Sequence, residues 1–327
     1  MNFGKRIVLL LVVLAVLTGS AFAQKKPTIV IMPKLVGIPY FNASETGANQ
    51  AAKDLGINVI YTGPTTADAS EQVRMLEDLI SKGVDAICVA PNDPAAVAPV
   101  LKKAKAAGIV VLDWDTPADK ALVDLSVHQI DDKVFGEHVW DCLVKEMGAT
   151  GDYAIITGGL SAANLNGWID AGLAYAKVKY PKLRLVTDKV ASDEKQQMAY
   201  QKALDLIKAY PKLKGIIGMS TPAPLGAAQA VQEKGLKAKI AVVGTALPTS
   251  SRPFLEDGSL RVANLWDPSK LGYLTVYLAN ELVKHKKPVN GMNVPNIGKI
   301  TILADGKTVI MAPPTDFTKE NAKNYTF

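Results

Sequence analysis

Residues 85–112, DAICVAPNDPAAVAPVLKKAKAAGIVVL, decide the fold class because they contain one complete strand–helix–strand unit. Asp85–Ala90 and Ile109–Leu112 are short apolar runs, which is typical of parallel strands that are buried on both faces. The segment between them, Pro94–Ala107, has the composition of a helix, and Gly108 ends it in the usual C-terminal capping role. The stretch therefore predicts a βαβ unit with a right-handed crossover.

The same alternation extends from this unit toward the N-terminus and as far as residue 127. Gly56 and Gly83 each precede a strand, as Gly108 does, and are predicted to end the helices before them. The first series is completed by strand Thr28–Met32, helix Phe41–Leu55, strand Ile57–Tyr61, helix Ala69–Ser81 and strand Ala121–Val127.

A second series begins near Asp131 and repeats the pattern. Ser192 is the predicted N-cap of its second helix. Two similar α/β halves, each a doubly wound parallel sheet, are therefore predicted, and a length of 327 residues suits two domains. The predicted strands are Tyr153–Thr157, Leu183–Asp188, Gly215–Gly218, Ile240–Val243 and Leu260–Leu265, and the helices are Ala162–Tyr180, Asp193–Ala209, Pro222–Lys234 and Ser269–His285.

The last forty residues differ from the two series because they contain short extended segments. Val289–Asn296 is rich in proline, glycine and asparagine and is predicted to be extended. Lys299–Leu303 and Thr308–Met311 have the pattern of a hairpin that turns at Asp305-Gly306.

The first 23 residues have the pattern of a secretion signal. Lys5 and Arg6 form a positive start, Ile7–Leu17 is an apolar run shorter than the roughly 20 residues of a membrane span, and Ala21-Phe22-Ala23 is a cleavage motif. We predict cleavage after Ala23, a mature chain that starts at Gln24, and a soluble periplasmic protein.

Composition excludes some classes of function. The formal charge is +6, and +6 − 2 = +4 without the leader, which has two positive charges and no acidic residue. Lysines are scattered, so nucleic-acid binding is not predicted. Cys88 and Cys142 are interpreted as free buried thiols, with a single bridge left open, and their spacing predicts no metal site. No cofactor is predicted.

Candidate binding residues follow the strands, because ligands of open α/β sheets bind beyond the carboxyl ends of the strands. Carboxylates and a lysine are suited to bind hydroxyl groups, and aromatic faces are suited to cover the apolar side of a sugar ring. The inventory therefore predicts a small polyol as ligand. The candidates are Lys34, Tyr40, Phe41, Asp113, Asp115, Asn164, Trp168, Thr221, Thr245, Trp266 and Asp267.

Several of these residues have a structural alternative. Asp115 is also suited to cap the turn that continues into Thr116-Pro117, and Asp267 is suited to cap the helix that follows it. Asn164 has the same alternative, and the two tryptophans, Trp168 and Trp266, would serve equally well as core residues. Asp113 and Asp115 share one face if the strand continues, so only one of them need contact a ligand.

Signals for catalysis are weak in this sequence. It contains no G-x-S-x-G elbow and no phosphate-binding loop, and its three histidines are dispersed. We therefore predict a binding protein rather than an enzyme. The alternative is a secreted carbohydrate-active hydrolase that uses Asp113 or Asp115 as acid or base.

Four motifs carry a resemblance that covers nearly the whole mature chain: PKLVGIPYF at residues 33–41, LDWD at 112–115, VVGTALPTSSRPFLEDGSL at 242–260 and LWDPSKLG at 265–272. On these motifs the chain resembles the periplasmic sugar-binding proteins of ABC importers, of the ribose-binding type. Within them it looks most like the branch that binds rhamnose or the furanosyl signal autoinducer-two.

The resemblance implies roles for particular residues. Lys34 and Asp115 match a lysine and an aspartate that contact the ligand in the autoinducer-binding members, and two backbone contacts would fall at Met219 and Thr221. Asn164 and Leu165 stand where those members have an aspartate and a glutamine. The ribose pattern departs further, because it expects asparagine, arginine and aspartate at Ile38, Asn166 and Ala246.

The resemblance also implies an architecture, the type I periplasmic binding protein fold with a three-segment hinge. The first lobe would comprise residues 24–128 and 267–291, and the second lobe residues 129–266 and 292–327. The crossings would lie near 127–130, 263–267 and 290–297. The implied partners are a sugar and an ABC permease, the implied state is a monomer, and a chemosensory role is the alternative.

Overall fold

The computed structural model describes residues 25–327. The predicted signal peptide and its cleavage site lie outside the described residues. Within residues 25–327, no helix combines the length and the apolar character needed to span a membrane.

Strands and helices alternate along the chain, as predicted. The first part contains β1 (Thr28–Met32), α1 (Pro39–Leu55), β2 (Asn58–Tyr61), α2 (Ala69–Ser81), β3 (Ala86–Val89), α3 (Pro94–Ala106), β4 (Val110–Trp114) and β5 (Leu125–His128). The second part contains α4 (Asp132–Met147), β6 (Gly151–Thr157), α5 (Ala163–Lys179), β7 (Leu183–Leu185), β8 (Val190–Ala191), α6 (Gln196–Ala209), β9 (Leu213–Met219), α7 (Ala223–Glu233), β10 (Ala241–Gly244), α8 (Pro248–Asp257) and β11 (Val262–Leu265). The last part contains α9 (Pro268–Val283), β12 (Asn293–Val294), β13 (Gly298–Lys299), β14 (Thr301–Ile302), β15 (Thr308–Ile310), β16 (Thr315–Phe317) and a 3₁₀ turn (Ala322–Asn324).

The strands form two large sheets, one in each lobe. The first sheet has the order β14-β15-β5-β4-β3-β1-β2, and the second has the order β16-β11-β10-β9-β6-β7, with β8 also paired to β6. Within these two sheets, all pairs are parallel except those of β14 with β15 and of β11 with β16. β12 and β13 form a separate two-stranded ribbon.

Local sequence explains where the helices begin and end. The Asp93 carboxylate accepts hydrogen bonds from the first amides of α3, and the Asp68 carboxylate does the same for α2. The glycines predicted to end three helices, Gly56, Gly83 and Gly108, all have the left-handed backbone that this role requires.

The start of α6 corrects a prediction. Ser192 does not cap the helix; its hydroxyl donates to the Thr157 carbonyl, and α6 begins at Gln196. Asp193 and Glu194, which were predicted to lie in the helix, have φ angles of 48° and 58°. Two successive left-handed residues form a turn that the sequence pattern does not reveal.

The C-terminal segment corrects the predicted lobe boundary. Thr301–Ile302 and Thr308–Ile310 form the predicted hairpin, but β15 also pairs with β5 and so extends the first sheet. Residues 301–310 therefore belong to the first lobe rather than the second. An unpaired edge at β5 would leave amides and carbonyls without partners, and the tail supplies the missing strand.

The three connections between the lobes follow from these pairings. The first lies between β5 and α4 and the second between β11 and α9, close to the predicted positions. The third lies between Ile310 and Thr315 instead of near 290–297. It runs beside the first connection, where the Met311 amide donates to the His128 carbonyl at 3.0 Å.

Helix α9 returns to the first lobe, as predicted, and packs closely on α1. A Cβ atom at Gly47 would lie 1.7 Å from the Ser269 carbonyl oxygen, and one at Gly272 would lie 2.0 Å from that of Ser44. Glycine at both positions allows the two backbones to approach, which fixes the end of the second connection against the first lobe.

Candidate functional site

A cavity with an empty volume of about 350 Å³ lies between the two lobes. Nine of the eleven predicted site residues line it: Lys34, Tyr40, Phe41, Asp115, Asn164, Trp168, Thr221, Thr245 and Trp266. Their contacts with a ligand stay a prediction.

Lys34 lies in the loop after β1 and is held by buried amides of its own lobe. The Asn92 side chain donates to the Lys34 carbonyl at 2.7 Å, and the Gln72 side chain accepts from the Asn92 amide at 3.0 Å. The Lys34 ammonium itself donates to Asn164 Oδ1 at 2.8 Å and lies 3.7 Å from Asp115 Oδ2. The Lys34 backbone is thus held by its own lobe, whereas the ammonium of this residue, which is 4 % exposed, has partners in both lobes.

Asp115 occupies a strained position at the end of β4. Its φ angle is 62°, which is uncommon for a residue other than glycine and is often found at functional sites. The Gln129 side chain donates to the Asp115 carbonyl at 3.1 Å, and the Tyr40 hydroxyl donates to Asp115 Oδ1 at 2.6 Å. Burial raises the pKa of Tyr40 well above its usual value, so this hydroxyl keeps its proton and remains a donor.

Asn164 brings the second lobe to these two residues. It lies in the first turn of α5 and is 2 % exposed. Its side-chain amide donates to Asp115 Oδ2 at 3.4 Å and its oxygen accepts from Lys34, so its role is to bridge the lobes rather than to cap the helix. A second bridge lies beside it, where the Ser161 hydroxyl donates to the Asn92 carbonyl at 3.0 Å. The cleft is thus in a closed form.

Aromatic side chains form the wall beside this polar group. Trp266 Nε1 donates to the Tyr40 hydroxyl at 3.0 Å, and its ring lies 5.6 Å from that of Trp168 in an edge-on arrangement. Phe135, which lies behind them, packs against both tryptophans at 4.9 and 5.5 Å. Trp168 Nε1 donates to Asp132 Oδ1 at 2.7 Å. Both tryptophans are therefore buried core residues that also line the cavity, so the core role and the position at the site apply together.

Asp113 contradicts its predicted role as a site residue. It is fully buried outside the cavity lining, where its carboxylate accepts from the Ala118 amide at 2.7 Å and from the Ser126 hydroxyl. Burial raises its pKa to about 7. The left-handed backbone at Asp115 ends the strand alternation, so the two aspartates do not share a face. Of the two carboxylates named for the hydrolase alternative, only that of Asp115 lines the cavity.

The predicted role of Asp267 in the site is also corrected, because this residue caps the helix that follows it. Its carboxylate accepts from the Ser269 amide at 2.9 Å and from the Ser269 hydroxyl at 2.6 Å, which makes it the N-cap of α9. Trp266, the preceding residue, lines the cavity, so one of these two adjacent residues faces the cavity and the other caps the helix.

Sequence reasoning missed Glu194. Its carboxyl group reaches the cavity from the left-handed turn before α6, and it is 8 % exposed. A Cβ at Gly158 would lie 2.1 Å from Glu194 Oε1, so glycine is needed there. Burial raises the pKa of Glu194, while the Lys34 ammonium acts in the opposite direction. Nothing in the sequence indicates this turn, because Ser192-Asp193-Glu194-Lys195 has the pattern of a helix start. Four other lining residues were not among the predicted site residues, although the resemblance had placed two of them, Ile38 and Leu165, at contact positions: Ile38, Leu165, Ser220 and Leu265.

Two α/β lobes with a cavity between them are typical of periplasmic binding proteins, and comparison with known proteins agrees. Residues 29–287 match the family model described as periplasmic binding protein domain. The chain belongs to this family, and its two doubly wound α/β lobes have the type I fold that the resemblance implied.

Individual relatives are similar along most of their length. The ribose import binding protein RbsB of Bacillus subtilis (strain 168) is 25 % identical over 274 residues, 83 % of this chain and 87 % of that protein. The D-allose-binding periplasmic protein of Escherichia coli (strain K12) is 27 % identical over 282 residues, 84 % of this chain and 89 % of that protein.

Two solved structures are similar in fold over their entire chains. LsrB from Clostridium saccharobutylicum in complex with AI-2 has a TM-score of 0.86 at 28 % identity and covers 92 % of this chain and 100 % of its own. An ABC transporter solute-binding protein from Clostridium phytofermentas with bound L-rhamnose has a TM-score of 0.86 at 29 % identity and covers 93 % of this chain and 100 % of its own.

Proposed function

We propose that this protein is the solute receptor of a sugar ABC importer and that it closes its two lobes around one monosaccharide or sugar-like molecule. The observation that carries the proposal is the meeting of Lys34, Asp115 and Asn164 inside the interlobe cavity, beside an aromatic wall. The names of the similar proteins, which include binding proteins for ribose, allose and L-rhamnose, support a sugar.

The chemistry of the cavity fits an uncharged, hydroxyl-rich ligand. The Lys34 ammonium is a donor and the Asp115 carboxylate an acceptor, and hydrogen bonds of this charge-assisted kind are stronger than neutral ones. The positive charge of Lys34 and the negative charge of Asp115 lie 3.7 Å apart and offset each other, and burial raises the pKa of Glu194 and so favours its neutral form. The cavity therefore has little attraction for a charged ligand. We infer that ligand hydroxyls bind at these groups.

The apolar part of the cavity narrows the choice of sugar. Ile38, Leu165 and Leu265 line it together with the tryptophans. Leu165 has no hydrogen-bonding side chain to replace the glutamine that the autoinducer-binding members have at this place. We infer that a sugar with a methyl group, such as a rhamnose-like deoxy sugar, fits better than ribose, and that an autoinducer-two-like furanose is the second candidate.

Closure of the lobes is proposed to be driven by the ligand. A ligand that contacts both lobes favours the closed form, because the open form lacks the contacts with the second lobe. The hinge would consist of the three connections, with residues 25–128 and 267–310 on one side and residues 129–266 and 315–327 on the other.

We also propose where the protein acts and what it delivers its ligand to. The leader would be removed after Ala23, and the mature chain would act in the periplasm as a monomer that delivers its sugar to a membrane permease. No catalytic step is proposed, since the similar proteins are named as binding proteins and Asp113 lies outside the cavity.

A thermal-shift screen tests the sugar assignment directly. The panel contains rhamnose, ribose, xylose, allose, arabinose, other pentoses and hexoses, and autoinducer-two. A true ligand at a hundred times its dissociation constant adds about 2.7 kcal/mol to the free energy of unfolding. If none of these solutes moves the melting temperature, the sugar assignment is wrong.

Two further measurements separate the alternatives. Release of a labelled product from the sugar identified in the screen would favour the hydrolase. Uptake of that sugar by cells that lack the protein tests transport: lost uptake supports the importer role, whereas normal uptake together with lost chemotaxis toward the sugar supports a chemosensory receptor.

A further inference from the structure

A cluster of three metal-binding side chains lies in the second lobe, away from the cavity. His138 and Cys142 are one turn apart on α4, and Asp316 lies on β16. We propose that His138, Cys142 and Asp316 bind one divalent zinc-type ion. The spacing of the cysteines predicted no metal site, because the third ligand comes from a strand 174 residues beyond Cys142.

The distances between the ligand atoms suit a small tetrahedral ion. All three lie within 4.8 Å of one another. Cys142 Sγ is 3.6 Å from His138 Nε2 and 3.9 Å from Asp316 Oδ2. Metal–ligand distances of about 2.0–2.3 Å place the ligands of tetrahedral zinc roughly 3.4–3.6 Å apart. His138 Nε2 and Asp316 Oδ1, now 2.6 Å apart, would separate by less than about 1 Å to admit the ion.

The donor set also indicates the kind of ion. Imidazole, thiolate and carboxylate together favour zinc over magnesium or calcium, which prefer oxygen ligands. The side chains of His138 and Asp316 are 32 % and 40 % exposed, so an ion can enter from solvent and a water molecule can complete the coordination. Cys142 is buried behind them.

A fully buried neighbour supports the assignment independently. Asn264 on β11 is 0 % exposed, and its side-chain amide donates to Asp316 Oδ1 at 2.7 Å and to Cys142 Sγ at 3.5 Å. A donor directed at both the sulfur and the carboxylate stabilises the deprotonated forms that bind metal, and such supporting contacts are typical of metal sites. The antiparallel pairing of Asn264 with Asp316 fixes the amide in this position.

A catalytic cysteine is the other chemistry that these residue types offer, and the geometry is against it. In a nucleophilic triad, one ring nitrogen faces the nucleophile and the other faces the carboxylate. Here the same nitrogen, His138 Nε2, faces both Cys142 and Asp316. Convergence of all three groups on one point is instead what a metal ion requires.

The site would join elements that flank the connections between the lobes. Helix α4 follows the first connection, and β16 follows the third. A bound ion would tie α4 to β16 and stiffen the second lobe at the hinge, with no contact to the sugar.

Cobalt absorption spectroscopy tests the site, because Co²⁺ replaces Zn²⁺ and reports a thiolate ligand by charge-transfer absorption. The protein is prepared without a polyhistidine tag and treated with a chelator. We expect the charge-transfer band when Co²⁺ is added and its loss when Zn²⁺ competes. Cys142→Ser should abolish the band, whereas Cys88→Ala, which removes the thiol of the other lobe, should leave it unchanged. Asn264→Ala should weaken Zn²⁺ binding about 10- to 100-fold.

The proposal is wrong if the unaltered protein gives no thiolate band with Co²⁺, or if Cys142→Ser gives the same band. A measurement on the unaltered protein covers the case in which the serine variant misfolds. Zn²⁺ should slow alkylation of Cys142 under native conditions, as followed by mass spectrometry, and leave that of Cys88 unchanged. Equal rates at Cys142 with and without Zn²⁺ contradict the site.

Discussion

The two lobes contribute to the cavity in different ways. In the first lobe, the Lys34 carbonyl accepts from the Asn92 side chain and the Asp115 carboxylate accepts from the Tyr40 hydroxyl, so both residues have partners within their own lobe. In the second lobe, the hydrogen bonds of the Asn164 side chain run to Lys34 and Asp115 across the cleft. We infer that the first lobe is a preorganised surface for the ligand and that the second lobe completes the site when the cleft closes.

This difference indicates the order in which the sugar binds and the lobes close. Preorganised groups bind a ligand without a further cost of ordering, so the sugar should dock first on the first lobe. Contacts with the second lobe then shift the population to the closed form. Substitutions in the first lobe should lower the intrinsic affinity, whereas substitutions in the second lobe should mainly change closure.

The largest effect is expected from Asp115→Ala. It removes the acceptor that two hydroxyl groups of a sugar can share, and charge-assisted hydrogen bonds contribute about 1.5–3 kcal/mol each. Affinity for the sugar identified in the thermal-shift screen should fall on the order of 100-fold or more, as measured by isothermal titration calorimetry. Asp113→Asn is the matched control two residues away and should bind normally. A dissociation constant of Asp115→Ala close to that of the unaltered protein would contradict the role of this carboxylate.

The next largest effect is expected from Lys34→Met. The substitution keeps the length of the side chain and removes one charged donor, so affinity should fall roughly 10- to 100-fold. It also removes the cation that lies beside Asp115 and the donor to Asn164, so the closed form should lose stability as well. Isothermal titration calorimetry with the same sugar measures the affinity of this variant. An unchanged affinity would contradict the role of Lys34 as a donor to the ligand.

A smaller effect on affinity is expected from Asn164→Ala. One neutral hydrogen-bonding group contributes about 0.5–1.5 kcal/mol, so affinity should fall roughly 2- to 10-fold. Small-angle X-ray scattering should show a more open average shape at saturating sugar. Asn166→Ala on the same helix is the control, because the Asn166 side chain donates to the Leu160 carbonyl outside the cavity. Asn164→Ala would contradict the order of events if it lowered affinity as much as Asp115→Ala does.

The rule that ligands lie beyond the carboxyl ends of parallel strands accounts for most of the cavity lining. Lys34 follows β1, Asp115 follows β4, Thr245 follows β10 and Trp266 follows β11. The rule locates a loop but gives no side-chain direction. Asp113 and Asp115 are equivalent in sequence, and a single left-handed residue separates their environments.

The errors in the fold have a similar physical origin. Alternating apolar runs predict each strand locally, but they do not reveal which sheet a strand joins. The Thr308–Ile310 strand was predicted correctly as one arm of a hairpin, yet its other edge pairs with β5, where Thr308 lies opposite Ser126, 308 − 126 = 182 residues earlier in the chain. Glu194 was missed for the same reason, because tertiary contacts hold its turn while the local pattern favours a helix.

The smallest effect on sugar affinity, none, is expected from Asp113 in the interior of the first lobe, which should instead set a pH dependence of stability. Burial raises the pKa of Asp113 to about 7, whereas an unfolded carboxyl titrates near about 3.9. Between these values the folded protein binds a proton that the unfolded chain lacks, so the free energy of unfolding decreases as pH rises. The slope from this group is at most about 1.4 kcal/mol per pH unit. Asp113→Asn cannot ionise, so urea unfolding should show the variant gaining stability relative to the unaltered protein from pH 5 to pH 8. A difference that stays constant over this range would mean that the carboxyl group is already ionised in the folded protein at pH 5, in spite of its burial.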